Sequence, residues 1–263
     1  MTTAYTEVEP AFVPVQTRSE RPHSFDPDDF GAPTGREVNW KHTPVAQLTP
    51  LFETASGANG VTLTASAPQY LADALEFGAA PRGEIFRPED VISAVAWQGA
   101  AQALHVRIPA DDEVAEPIVL TLTGQGADLR ADAHLVIEAE AHSSATVVLR
   151  HEGAAQYAQN VEIIVRDGAK LTVVSVQQWQ DDAVHAASHQ ARVDRDAELT
   201  HIVVSFGGAL VRVNPNVELA GAGSQARLYG LSYADAGQHL ESQVYLHHKG
   251  AHTTGDVLYK GAL

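Results

Sequence analysis

From about residue 140 to its end the chain repeats itself. The stretches "HSSATVV" (142–148), "DGAKLTVV" (167–174), "RDAELTHIV" (195–203), "AGSQARLYG" (222–230) and "KGAHTTGDV" (249–257) each set a small-residue turn before a strand bearing Thr, Val or Leu. Aligning Thr146, Thr172, Thr200, Arg227 and Thr254 gives steps of 26, 28, 27 and 27 residues. A period that long exceeds one arm of a hairpin. It suits one coil of a β-helix, with two or three strands and their corners, hydrogen-bonded to the coils above and below. Six such coils at about 4.8 Å each would make a rod of roughly 30 Å.

The surrounding texture agrees. After about residue 100, runs such as "AHLVIEAE", "QNVEIIVRDG", "KLTVVSVQQW" and "LVRVNPNVEL" alternate with Gly, Asp and Asn turns, and no stretch reads as a long amphipathic helix. In "NVEIIVRDG" the alternation places Val161, Ile163 and Val165 inward and Glu162, Ile164 and Arg166 outward. The predicted fold is therefore mainly β, a parallel β-helix over residues 100–263 that is incomplete at its C-terminal end. Residues 36–99 read as a helical region. Thr43 and Pro44 are placed to start a helix in "NWKHTPVAQLTPLFE", and "APQYLADALEFG" reads as a second. In "FRPEDVISAVAWQGA", Pro88, Glu89 and Asp90 sit where a first turn favours them, with Val91, Ala94, Val95 and Trp97 as a partial apolar stripe. These helices could cover one end of the rod. Residues 1–35, rich in Pro, Thr, Glu and Asp, read as an unanchored arm with one helical turn at "DPDDF".

Charge and cysteine count narrow the function. With 17 Lys+Arg against 33 Asp+Glu the formal charge is −16, which repels phosphate backbones, so no nucleic-acid partner is expected. There is no Cys, so a disulfide scaffold, a thiolate nucleophile and a thiolate metal site are excluded for this chain. The start lacks a charged segment followed by an apolar one, and no window approaches 18 consecutive apolar residues. A soluble, cytoplasmic protein without a membrane partner is expected.

The side chains that could carry chemistry form no strong constellation. Thirteen His are present, seven of them from His185 onward. His185 and His189 are four apart, a metal pair on a helix but not in a region that reads as strand, and no His-x-His occurs. Solvated or stacked surface histidines are the plainer reading. Ser143, Ser144, Ser175 and Ser205 lie in no nucleophile elbow. "GQGADL" lacks the strand–helix context and the Lys of a phosphate cradle and reads as a turn. Asp181–Asp182 and Asp111–Asp112–Glu113 read as loop acids facing solvent. No catalytic, cofactor-binding or metal residue is assigned.

Several motifs together carry a family resemblance. "RIPADDEVAEPIVL" resembles a signature of the SufB/SufD family, in which "IPA" precedes a short acidic stretch and "EPI". The stretch 149–201, from "LRHEGAAQYAQN" to "DRDAELTH", is similar to the middle of actinobacterial SufD-type members. "YADAGQHLESQVYLHHKGAHTTGDVLYKGAL" is similar to their late core strands, and "NWKHTPVAQL" to their first helix start. The resemblance covers the chain from about residue 35. It implies a right-handed parallel β-helix with helical domains at each end. It also implies a non-catalytic scaffold subunit that pairs with a SufB-like subunit, couples to the SufC-like ATPase, and serves iron–sulfur cluster assembly. No cofactor is expected to be tightly bound here, the cluster passing transiently through the full complex. The family's metal-associated His lies in a later Gly-His segment that no position here matches. Family members continue past "YKGAL" with more coils and C-terminal helices, so the resemblance implies a C-terminally truncated chain. Self-association at the open end, or disorder of the last residues, is then expected. Two other readings of a β-helix remain: a polysaccharide-active enzyme, which would stack outward charged side chains in register over three coils, and a purely structural solenoid, which would show an evenly charged surface without an apolar strip.

Overall fold

Parallel strands exchange their backbone hydrogen bonds with the strands above and below, so a chain of coils needs the same corner geometry at every level. The computed structural model describes residues 22–54, 60–235 and 237–263. In chain order its strands are β1 (Val61–Ala65), β2 (Leu71–Leu75), β3 (Ala103–Ile108), β4 (Ile118–Ala139), β5 (Ser144–Val165), β6 (Lys170–Trp179), β7 (Val184–Val193), β8 (Glu198–Ser205), β9 (Leu210–Leu219), β10 (Gln225–Tyr233), β11 (His239–Glu241), β12 (Tyr245–His248) and β13 (Thr254–Ala262). One α-helix, α1 (Val91–Gly99), lies between β2 and β3.

The strands form two parallel ladders facing each other across a core. The first runs through the opening legs of β4 and β5, then β6, β8, β10 and β13. The second runs through β3, the closing legs of β4 and β5, then β7, β9, and β11 with β12. The fold is thus a two-sided β-solenoid of about six turns, as the period predicts. β4 and β5 serve both ladders, and their bends stack at Gly124 and Gly153. A Cβ on either glycine would collide with backbone of the neighbouring coil. The opposite corner is a column of left-handed residues: Asp111, His142, Gly168, Asp196, Gly223 and His252, all with φ between 55° and 73°. Each of the first five donates its N–H to a carbonyl of the next coil, as in His142 to Asp167 at 3.0 Å and Gly168 to Arg195 at 2.9 Å. One left-handed residue per coil turns the chain without breaking the ladder.

The alignment read from sequence holds for four coils. Thr146 pairs with Thr172, Thr172 with Thr200, and Thr200 with Arg227. The last step differs, because Arg227 faces Asp256 rather than Thr254, a step of 29 residues. The two extra residues sit between β10 and β11. Ser232 and His239 are seven residues apart, where the matching Ser205 and Leu210 one coil earlier are five apart.

The N-terminal region corrects several expectations. "LADAL" is the strand β2, after a 3₁₀ turn at Pro68–Tyr70, and it pairs antiparallel with β3. The free edge of β3 offers ladder hydrogen bonds that outweigh the helix propensity of Ala and Leu. β1 likewise pairs antiparallel with β4. These two strands, not helices, close the first edge of the solenoid. Val45–Leu51 is a 3₁₀ helix with Pro50 inside it, and Thr43 does not cap it: its hydroxyl donates to Glu241 at 2.7 Å. α1 does form, but Asp90 is its N-cap, closing a capping box with Ser93, so Pro88 and Glu89 precede the helix. It lies against the outer face of the second ladder, on β4, β5 and β7, rather than over an end. The "DPDDF" turn forms at Pro27–Asp29. From residue 22 the arm is anchored, with the Phe25 and Trp97 rings tilted against each other at 4.8 Å and the Ser24 N–H bonded to the Pro88 carbonyl at 3.1 Å. Residues 1–21 of the arm lie outside the described residues. At the other end, the strand β13 runs to Ala262, so residues 254–262 are no loose tail.

Polar stitches hold the N-terminal segment down. Glu162 and Ile164 point away from the core as predicted, yet both are fully buried, because residues 79–91 cover them. The Glu162 carboxylate accepts N–H bonds from Gly83 (2.8 Å), Ile85 (2.8 Å) and Phe86 (3.2 Å), and meets His134 Nε2 at 3.1 Å. Glu84 bridges Arg166 (2.7 Å) and Arg192 (2.6 Å) on successive coils. The Arg166 guanidinium, with Arg192, holds the Glu84 carboxyl down at about 2 against the opposing effect of burial. Buried Arg82 donates to the carbonyls of Leu75, Trp97, Ala100 and Ala101. Among the described residues no helix is long and apolar enough to cross a membrane.

Replacing Glu162 with Ala leaves three N–H groups, one buried and two half-buried, without this acceptor. The expected loss is about 3 kcal/mol in urea unfolding, with new protease cleavage at Arg82 or Arg87 under native conditions. Unchanged stability and an unchanged digestion pattern would refute the stitch.

Candidate functional site

Strand alternation sends every second residue of both ladders into the core, and in the middle coils that set turns polar. The first ladder contributes His151, Ser175, Gln177, His201 and Ser205; the second contributes Gln159, His185 and His189. All are at most 7% exposed. His151 Nε2 meets Gln159 Oε1 at 3.0 Å, and Gln177 links Ser175 and Trp179 at 2.8 Å each. His185 stacks on Tyr157 with centroids 5.1 Å apart and lies 5.0 Å from the His151 ring. His189 Nδ1 meets His201 Nε2 at 2.9 Å.

Burial governs how these rings titrate. Loss of hydration pushes His151 and His201 down to about 4. It drives His185 well below the usual range, with the nearby His151 charge adding to it, and His189 likewise, with His201 adding. The four imidazoles are neutral at pH 7.

Along one inward column the side chains shrink from His151 through Gln177, Ser205 and Ser232 to Gly261. The space they give up forms a cavity of about 200 Å³ near the last coil, lined by Ser205, Ser232, Leu240, Tyr259 and Gly261 among others. Beside it β13 pairs with β10, its one ladder neighbour among the described residues. The apolar Val257 (48% exposed) and Leu258 (51%) lie on this last strand.

The residues singled out from sequence distribute as follows. His185 and His189 point to the same side of β7 but find separate partners, and both are buried inside the solenoid rather than solvated on its surface. Ser175 and Ser205 face the same interior. Ser143 bonds its own corner at Glu140 (2.7 Å), and Ser144 lies on the outer face. Asp181 and Asp182 are exposed, and Asp181 accepts from Gln238 at 3.0 Å. Asp112 at the first corner accepts from Tyr70 at 3.2 Å. "GQGADL" is the bend of β4. Among the described residues no three His, Asp or Glu converge as a metal site. Sequence reasoning missed the polar interior. Its signal was present in "VHAASHQARV", where His185 and His189 alternate in phase with Ala187, Ala191 and Val193.

Because the folded state holds these histidines below their unfolded value of about 6.5, the unfolded chain binds more protons, and stability falls as pH drops below 6.5. Between pH 7 and 5, above the carboxylate range, His151 and His201 should each remove about 2 kcal/mol. Urea midpoints measured across this window should drop, and His201→Gln should flatten the slope. A flat wild-type profile would contradict the buried, neutral assignment.

Comparison with known proteins accords with this architecture. Residues 122–263 match the SUF system FeS cluster assembly, SufBD core domain. The chain is 40% identical over 242 residues to an iron-sulfur cluster assembly SufBD family protein of Mycobacterium tuberculosis, covering 91% of this chain and 61% of that protein. It is 38% identical over 242 residues to a namesake in Mycobacterium leprae, at 91% and 62% coverage. A second SufBD family protein of M. leprae is 24% identical over 100 residues, 38% of this chain. The chain thus spans about three fifths of the length of the first two relatives. With its core domain matched over more than half its residues on a two-ladder solenoid, the chain belongs to the SufB/SufD family of iron–sulfur cluster assembly proteins.

Proposed function

We propose that the chain is a SufD-type scaffold subunit of a SufBCD-type complex, without catalytic activity of its own. In this reading it pairs with a SufB-like subunit and is coupled to a SufC-like ATPase in the cytoplasm. The observation that carries the reading is the match of residues 122–263 to the SufBD core domain, borne on the two-ladder β-solenoid. Two such solenoids can join by adding a strand to an exposed ladder edge, through backbone hydrogen bonds with little side-chain rearrangement. The SufD assignment rests on the motif resemblance of residues 149–201 and of the late core strands. The reading of this chain as part of a longer rod belongs to the same proposal, supported by its spanning about three fifths of its relatives' length, and so does self-association of the separate chain.

The iron–sulfur cluster is cargo in this scheme. The chain has no Cys, so thiolate ligands would come from outside these 263 residues. A polysaccharide-active site is disfavoured: on neither ladder's outer face do Asp, Glu, Lys or Arg stack in register over three coils. Lys170 and Glu198 make one pair, followed by Gln225.

Co-expression of the longer parent with its SufB-like and SufC-like partners should yield a complex retained through a tag on any one subunit. Failure of the unaltered parent to retain either partner would overturn the reading.

A further inference from the structure

The two outer faces of the solenoid are treated differently. The second ladder is covered by α1 and residues 79–91. The first ladder's outer face carries nothing among the described residues, yet it is not evenly polar. Register places Val148, Val174, Ile202, Tyr229 and Leu258 in one column across successive coils. In the next column Val176, Val204 and Leu231 follow one another, with Arg150 before them and Lys260 after them. These side chains point away from the core and are partly or largely exposed, Leu231 at 53% and Leu258 at 51%. A continuous apolar strip therefore runs along the rod axis. An evenly charged structural surface would lack it.

The charge on this face is opposite to that of the molecule. Arg150, Lys170, Arg227 and Lys260 stand against Glu152, Glu198 and Asp256 on the outward positions of β4, β5, β6, β8, β10 and β13. Four cations less three carboxylates leaves +1, on a chain whose formal charge is −16. Glu198 lies 3.6 Å from both Lys170 and Arg227. Arg150 and Lys260, at the two ends of the strip, have no ion pair among the described residues.

We infer that this face is a docking surface for a partner protein's amphipathic α-helix that carries acidic side chains beside its apolar stripe. The dimensions fit. Coils repeat at about 4.8 Å and helix turns at about 5.4 Å, so a helix lying along the axis sets roughly one turn on each coil. Four coil steps separate Arg150 from Lys260, about 19 Å, or about 13 helical residues, so carboxylates spaced that far apart would meet both cations. The chain itself shows the mode on its other side, where α1 lies over β4, β5 and β7. A second copy is a poorer occupant, because two such faces would each bring a net positive charge.

The test uses the purified chain and two labelled 18-residue peptides with the same Leu stripe, one flanked by Glu and one by Lys, followed by fluorescence anisotropy. It needs no Suf partner, so its outcome is separate from that of the scaffold reading. The Glu peptide should bind at least tenfold more tightly than the Lys peptide. Val174→Thr with Ile202→Thr and Val204→Thr, substitutions that keep strand propensity, should weaken it at least tenfold. Arg150→Gln with Lys260→Gln should remove most of the preference for Glu. Equal binding of both peptides, no binding, or binding untouched by these variants would overturn the inference. So would a chain dimer that the Thr variant dissociates, or a tenfold gain on deleting residues 1–21, each of which names a different occupant.

Discussion

Everything in this protein follows from one requirement: each coil must hand its backbone hydrogen bonds to the next in register. A parallel ladder tolerates no change of corner geometry between levels. That is why a left-handed residue recurs from Asp111 to His252, and why Gly124 and Gly153 stack where two backbones nearly touch. The same requirement makes the two ends unlike. The first edge is closed by antiparallel β1 and β2, which end the series because their direction cannot extend it. The last strand, β13, keeps the parallel direction of the ladder.

The side chains then divide three surfaces among three tasks. The outer face of the second ladder is covered and stitched, with Glu162, Glu84 and Arg82 binding the N-terminal segment through charge-assisted hydrogen bonds. Buried Arg212 extends the seam, meeting Asp90 (3.2 Å), Glu241 (3.3 Å) and the Asn39 carbonyl (2.8 Å). The interior changes from aliphatic to polar in the middle coils, where neutral imidazoles and amides pack against Tyr157 and Trp179. The first ladder keeps Val, Ile and Leu in the open. A rod built this way is stiff because its strands are bonded along its length, and its binding features can sit on sides and ends rather than in a cleft.

Much of the solenoid could be read from the sequence because one coil is one repeat of turn and strand. Thr146, Thr172, Thr200 and Arg227 fell into register from spacing alone. The last coil slipped by two because the longer connection between Ser232 and His239 left the next small-residue turn looking unchanged. "LADAL" was misread as helix for a different reason: its state is set by an open edge thirty residues away in sequence. The seam around Glu162 left no local trace, since its partners Gly83, Ile85 and Phe86 are 76 to 79 residues distant. The polar interior was legible in principle, but the histidines were assigned to the surface by residue type instead of by their phase in the strand.

The absence of native cysteine allows the stacking to be tested directly. Paired cysteines introduced at Thr172 and Thr200, Thr200 and Arg227, and Arg227 and Asp256 face one another on adjacent coils, within the Cα separation a disulfide accepts. The account predicts that all three pairs oxidise rapidly in the native protein, and that Arg227 with Thr254 does not. Rapid closure of the 227–254 pair, or failure of the 172–200 pair, would contradict the coil register on which the fold and both proposed interfaces rest.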